Sequence, residues 1–237
     1  MRPVNPPERL HLMKSSLALI AAACFAASTA WADWVIESQI ESPQMNSKTT
    51  IKIKGDKMRA DIASGPMGAM SSIMDSASGE SIQLIHAQKM AMKTTAAQMK
   101  AAMEMAKKSA GPQAGGPAAK LQSTGQTEKV GEYDCEIWSW TDGSVTSKYW
   151  VAKKHPQAEA LKEIDKKMRS GALGSMSGGP DTSVLPGPVM RTETSTNGMT
   201  MKTTVLSIKE AAVDAKEFEV PADYQALTMP ALPNAPK

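Results

Sequence analysis

The sequence predicts an α+β fold: a strongly curved antiparallel sheet with two helices packed on one side. Three observations predict it. Short runs of period-two hydrophobicity recur along most of the chain, and Gly, Asn and Asp turn signals separate them. Only two stretches have helical composition or spacing.

Taken in order, Trp34, Ile36 and Ile40 share one parity while Glu37, Gln39 and Glu41 take the other, a strand with one buried face. Ile51 and Ile53 alternate with Lys52 and Lys54, and Gly55-Asp56 turns the chain. Beyond it Met58, Ala60 and Ile62 alternate with Arg59 and Asp61, which makes a hairpin over about 48–63. Met70 to Met74 and Ser81 to His86 flank a polar turn at 75–79, and Gln88 to Lys93 continues the meander.

The texture then changes. Residues 96–110 are strong helix formers stopped by Gly111-Pro112, with Met99, Ala102, Met103 and Ala106 in one stripe. A Gly/Pro/Gln/Ala connection over 111–117 leads to strands resuming near Thr124. There Tyr133, Cys135 and Ile137 take one parity, Trp138 and Trp140 the other, and Asp142-Gly143 turns into a strand over 147–152. A second helix is expected from Pro156, its apolar face Ala158, Leu161, Ile164 and Met168, its end Gly171. A Gly/Ser/Pro loop over 170–188 precedes two strands, 189–196 and 199–209, around Asn197-Gly198.

The N-terminus reads as a cleaved leader. Met13-Lys14 is a basic start, Leu17 to Ala27 an apolar run too short to span a bilayer with ease, and Ala30-Trp31-Ala32 an A-x-A cleavage site. The expected organisation is a signal peptide at 1–32, with the true start at Met13, one β-rich domain at 33–227 and a disordered tail at 228–237. Export places the protein in the periplasm; lipidation at Cys24 after Ala21-Ala22-Ala23 is the less favoured route. The formal charge of +3 owes much to Arg2, Arg9 and Lys14 in the leader, so no field for nucleic acid remains. Cys135 alone survives cleavage and reads as a small buried apolar residue.

Several motifs together resemble a bacterial exported family, the domain of unknown function family 4412. They are Gly55-Asp56-Lys57-Met58-Arg59-Ala60-Asp61, Ile73-Met74-Asp75 and Gln88-Lys89-Met90-Ala91-Met92. Thr124-Gly125, Val130-Gly131-Glu132-Tyr133-Asp134-Cys135 and the closing Phe218-Glu219-Val220-Pro221-Ala222-Asp223-Tyr224 complete the set, in order, from about Trp34 to Tyr224. That family is similar in layout to the periplasmic lipoprotein carriers LolA and LolB. The resemblance implies an incomplete barrel lidded by helices over an apolar cavity, and it transfers no catalytic residue.

Function is read against that background. With His86 and His155 as the histidines beyond the leader, no nucleophile–base pair, P-loop, dinucleotide fingerprint or zinc spacing stands out, so no enzyme and no cofactor is expected. Methionine is abundant, 18 in all, and Met suits surfaces that fit varied apolar partners. Met99, Met103, Trp138, Trp140 and Trp150 are therefore the candidate cavity lining. The leading expectation is a monomer that binds or carries a lipid or lipoprotein-like ligand. The alternatives are an envelope protein–protein interaction module with a filled core, or thioether binding of copper(I) around His86, Met90 and Met92, with Met103 and Met105 near them in the chain.

Overall fold

The computed structural model describes residues 32–65, 68–109, 120–143, 145–170 and 179–228. Residues 1–31 of the expected leader, Cys24 among them, the 111–117 connection, residues 171–178 of the 170–188 loop and the tail beyond 228 lie outside the described residues, as does the side chain of Met103.

Among the described residues twelve strands form one open sheet. They are β1 (Trp34–Ser42), β2 (Met45–Lys54), β3 (Lys57–Ile62), β4 (Met70–Asp75), β5 (Glu80–Ile85), β6 (Met90–Thr94), β7 (Gln122–Val130), β8 (Tyr133–Asp142), β9 (Val145–Val151), β10 (Val189–Thr196), β11 (Met199–Glu210) and β12 (Gln225–Thr228). Helix α1 (Ala96–Ser109) separates β6 from β7, and α2 (Ala158–Ser170) separates β9 from β10. The spatial order is β12-β6-β5-β4-β3-β2-β1-β11-β10-β9-β8-β7. The curved α+β arrangement expected from the sequence is present, and the barrel is not closed.

Curvature has local causes. Register shifts interrupt three pairings, at Glu37/Ser38 against β11, between Val189 and Arg191 against β9, and between Ser123 and Thr127 against β8. Each extra residue bends its strand and raises the right-handed twist. Between β10 and β11, Asn197 (φ 50°) and Gly198 (φ 79°) both adopt left-handed conformations, the two-residue turn whose twist matches its strands.

All neighbouring strands run antiparallel except β12, which lies parallel to β6 with Gln225 opposite Met90 and Leu227 opposite Met92. Neither β12 nor its parallel pairing is foreshadowed by alternation. Four residues are too few to show a period, and a parallel partner needs a long crossover instead of a turn signal. Here the chain between β6 and β12 includes both helices and five strands, and its last stretch, from β11 to β12, is a strap, residues 211–224.

Alternation assigns the two faces. Trp34, Ile53, Met58 and Met74 are in register across β1–β4 on one face, followed two residues along by Ile36, Ile51 and Ala60. Helix α2 packs there, through Leu161 and Ile164 against Trp34 and Ile53. Arg59, Asp61, Ser71, Ile73 and Leu84 occupy the alternate positions and so the opposite face. The strap covers it, burying Val213 and Phe218 against Ile73, Leu84 and Ala91.

Helix α1 opens with a reciprocal cap. The Thr95 hydroxyl accepts from the Gln98 amide, and the Gln98 side-chain oxygen accepts from the Thr95 amide at 2.8 Å. Among the described residues no helix is long and apolar enough to cross a membrane.

Candidate functional site

The site is built around the entry to α2. The helix starts at Ala158, two residues after Pro156, because His155 terminates it from outside. The His155 carbonyl accepts from the Ala158 amide, and its Nδ1 accepts from the Gln157 amide at 3.2 Å. An imidazole nitrogen that accepts a backbone N–H carries no proton, so this cap requires a neutral ring. Burial pushes the His155 pKa down, partly opposed by Glu132, and the ring packs on Tyr133 with centroids 4.5 Å apart. His155 is 6% exposed.

The far wall approaches closely. A Cβ on Gly187 would meet the Ala152 carbonyl oxygen at 2.4 Å, so only glycine fits where the chain leading to β10 passes the end of β9. The Ala152 amide in turn donates to the Pro188 carbonyl.

Two apolar clefts flank α2. The larger, about 290 Å³, is floored by Trp34, Ile53, Met58 and Met74 and walled by Ala160 and Ile164. Asp56, Lys57, Glu159 and Glu163 line its polar edge, beside Ala32, the last residue ahead of the expected cleavage site. The smaller, about 170 Å³, lies on the other flank of the helix over Ile36, Val205 and Ile208, with Leu161, Ile164 and Leu185 as its walls.

The residues singled out in the sequence fall elsewhere. Trp140 is buried with Tyr149, Val151 and Leu185, and Trp138 packs beside them. Trp150 lies opposite Ile137 in the register, hence on the other face, in a cluster with Cys135 and Met190. The Trp150 indole donates to Glu128 at 2.8 Å, with the Arg191 guanidinium over its ring at 5.2 Å. Met99 is half-buried on α1. Among the described side chains, Met99, Trp138, Trp140 and Trp150 line neither cleft. Met58 and Met74 do line the larger: alternation over 58–62 marks the Met58 face as buried without telling what covers it, and Met74 joins that face through its register with Met58.

The strap face holds a polar cluster. Ser71 Oγ contacts Asp61 Oδ1 at 2.5 Å and His86 Nε2 at 2.7 Å, and His86 Nδ1 contacts the Tyr224 hydroxyl at 2.5 Å. A carboxylate only accepts, so Ser71 gives Asp61 its single proton and receives the Nε2–H of His86. Tyr224 then donates to Nδ1. The imidazole is thus not aimed to deprotonate Ser71, which is 1% exposed.

Arg59 completes the cluster, donating to Asp61 at 2.6 Å, to Ser71 at 3.1 Å and to the Glu217 carbonyl at 2.8 Å. Burial raises the Asp61 pKa, but the hydrogen bonds from Ser71 and Arg59 outweigh it and hold the carboxyl below its usual range. Lys52 bridges Glu217 at 3.0 Å, and Lys89 bridges Asp223 at 2.9 Å. Both nitrogens of His86 are therefore engaged on the strap side. Met90 and Met92 extend the other face through their partners Ile85 and Gln83, so these three residues do not converge on one centre.

None of the curated proteins matches the chain in sequence. Among solved structures, the MucA/MucB complex of Pseudomonas aeruginosa aligns at a TM-score of 0.45 and 10% identity, over 84% of this chain and 59% of that one. The lipoprotein LppX of Mycobacterium tuberculosis aligns at 0.42 and 6%, over 76% and 88%. PNGF-II aligns at 0.40 and 13%, and 84% of this chain spans only 31% of its length. The family model DUF4412, a domain of unknown function, matches residues 35–224, which takes in the Arg59–Asp61 hairpin, the strap and every strand that floors the clefts: the chain belongs to that family.

Proposed function

We propose that this is an exported envelope protein that holds the apolar tail of an amphiphile in the cleft between α2 and strands β1–β4. The observation that carries the reading is the floor of that cleft. Trp34, Ile53, Met58 and Met74 present a continuous apolar row to an open space, with charged residues only at its edge. A concave apolar site with a few polar groups at its mouth is the general form of a small-molecule site. Methionine on the floor supports tolerance of varied tails, because its unbranched thioether adapts its shape at little cost. The A-x-A site before Asp33 supports export.

The test is mass spectrometry of an organic extract from protein purified out of a periplasm without detergent. A defined lipid at near-stoichiometric yield is expected, and the Met58→Glu variant should lose it while keeping the circular dichroism of the parent. A clean extract from the parent, together with no binding of added single-chain amphiphiles, would sink the reading.

A further inference from the structure

The two clefts share a wall and a floor. Ile164 lines both. Trp34 floors one and Ile36 the other, two residues apart on the same face of β1, and each is in register with an isoleucine of β2, Ile53 and Ile51. Ile36 is also in register with Ile208 of β11, which lies under the smaller cleft. The apolar floor therefore runs unbroken beneath the helix. What divides it is α2, whose buried side chains, among those described, are Leu161 and Ile164. Taken singly, clefts of about 290 and 170 Å³ fall below the roughly 300–1,000 Å³ usual for ligand sites.

We infer that the two clefts are the ends of one apolar channel, that α2 plugs it in the empty protein, and that the ligand is a long single-chain amphiphile whose tail replaces Leu161 and Ile164 on the floor. The inference rests on the proposed carrier function and adds the site's extent, the ligand's shape and the competition between helix and tail. Seating the helix and binding the tail then draw on the same apolar surface, so each weakens the other. The polar outer face of α2, with Lys162, Glu163 and Lys166 exposed, lets the helix lift into water without exposing a second apolar side.

The experiment uses the exported chain with dodecanoate as ligand and 12-bromododecanoate as quencher of Trp34, the Trp34→Phe variant giving the background. Leu161→Ala loosens the plug and, because Leu161 walls the smaller cleft and does not line the larger, leaves the lining of the larger in place. Binding about tenfold tighter or more is expected for it, the sign of relieved competition. Weaker or unchanged binding would mean that α2 is a fixed wall, overturning the channel while leaving the carrier reading in place. Binding by neither protein would remove both. Hydrogen exchange on the parent protein reads the same question should the variant fail to fold. Exchange in α2 should rise on adding dodecanoate, whereas slower or unaltered exchange contradicts displacement.

Discussion

The Tyr224 hydroxyl sits 2.5 Å from Nδ1 of His86, joining residues 138 positions apart. Through His86 and Ser71 that contact reaches Asp61 and Arg59 of the β2–β3 hairpin, and Arg59 returns to the strap at Glu217. Two motifs at opposite ends of the family's span are thus one object. The hairpin supplies the charged half of a latch, and the Phe218–Tyr224 segment supplies the strap that it holds.

Tyr224→Phe removes one neutral hydrogen bond and leaves the ring in place, a loss of about 1 kcal/mol. For a domain of this size the melting temperature should fall by roughly 2–4 °C. Arg59→Ala takes away a charged donor from three acceptors and strands Asp61, so a loss of about 2–3 kcal/mol is expected. Thermal melts of both variants check the order. Melting unchanged in both variants would show that the strap is held by Val213 and Phe218 packing alone.

Acid should release the latch. Burial raises the pKa of Asp33, but hydrogen bonds from Lys54 and the Val213 amide outweigh it, so its carboxyl, like that of Asp61, lies below the usual range. A carboxyl whose folded pKa lies below its unfolded value, about 3.9, adds stability above that value and loses it as pH falls through the folded one. Melting temperature should therefore drop as pH is lowered below about 4, and Asp61→Asn should flatten that drop while lowering the neutral-pH plateau. An unaltered slope in Asp61→Asn would place the acid sensitivity elsewhere.

His155 acts in a different window. Its folded pKa lies below the unfolded value of about 6.5, so the unfolded chain takes up the proton first. Its contribution is complete above about pH 6.5 and is lost as pH falls from there through the folded value. Protonation also removes the acceptor for the Gln157 amide. His155→Asn keeps a cap acceptor without a titrating group, and should abolish the change in α2 hydrogen exchange between pH 7 and 5. Persistence of that change would mean that another group governs the helix.

The strands were legible because their alternation is local. Trp34 to Glu41, the 48–63 hairpin and Asn197-Gly198 all announce themselves within a dozen residues, and the structure has them. The strap was not legible, since Val213, Phe218 and Tyr224 follow no period and are defined by what they cover. The start of α2 shifted from Pro156 to Ala158 for a similar reason, as no spacing rule foretells a histidine ring as the cap. Of the site, alternation exposed Met58 as facing one way, while Met74 joins it only through the β3–β4 register. Only the approach of α2 across four strands shows that they floor an open cleft.

Gly187 offers the last check, because its constraint is spatial: Pro186-Gly187-Pro188 marks a loop without telling what its backbone meets. Its backbone passes so near β9 that a methyl group would meet the Ala152 carbonyl oxygen at 2.4 Å and its carbon at 2.9 Å. These are backbone atoms, and the Ala152 amide is itself tied to Pro188, so neither side can yield without breaking the entry to β10. Gly187→Ala should cost about 1–3 kcal/mol by overpacking, although alanine ordinarily gains a few tenths from the unfolded chain. The displaced segment lines the smaller cleft, so dodecanoate binding should change along with stability. A variant that melts at or above the parent's temperature would show that the segment is free to move away from β9.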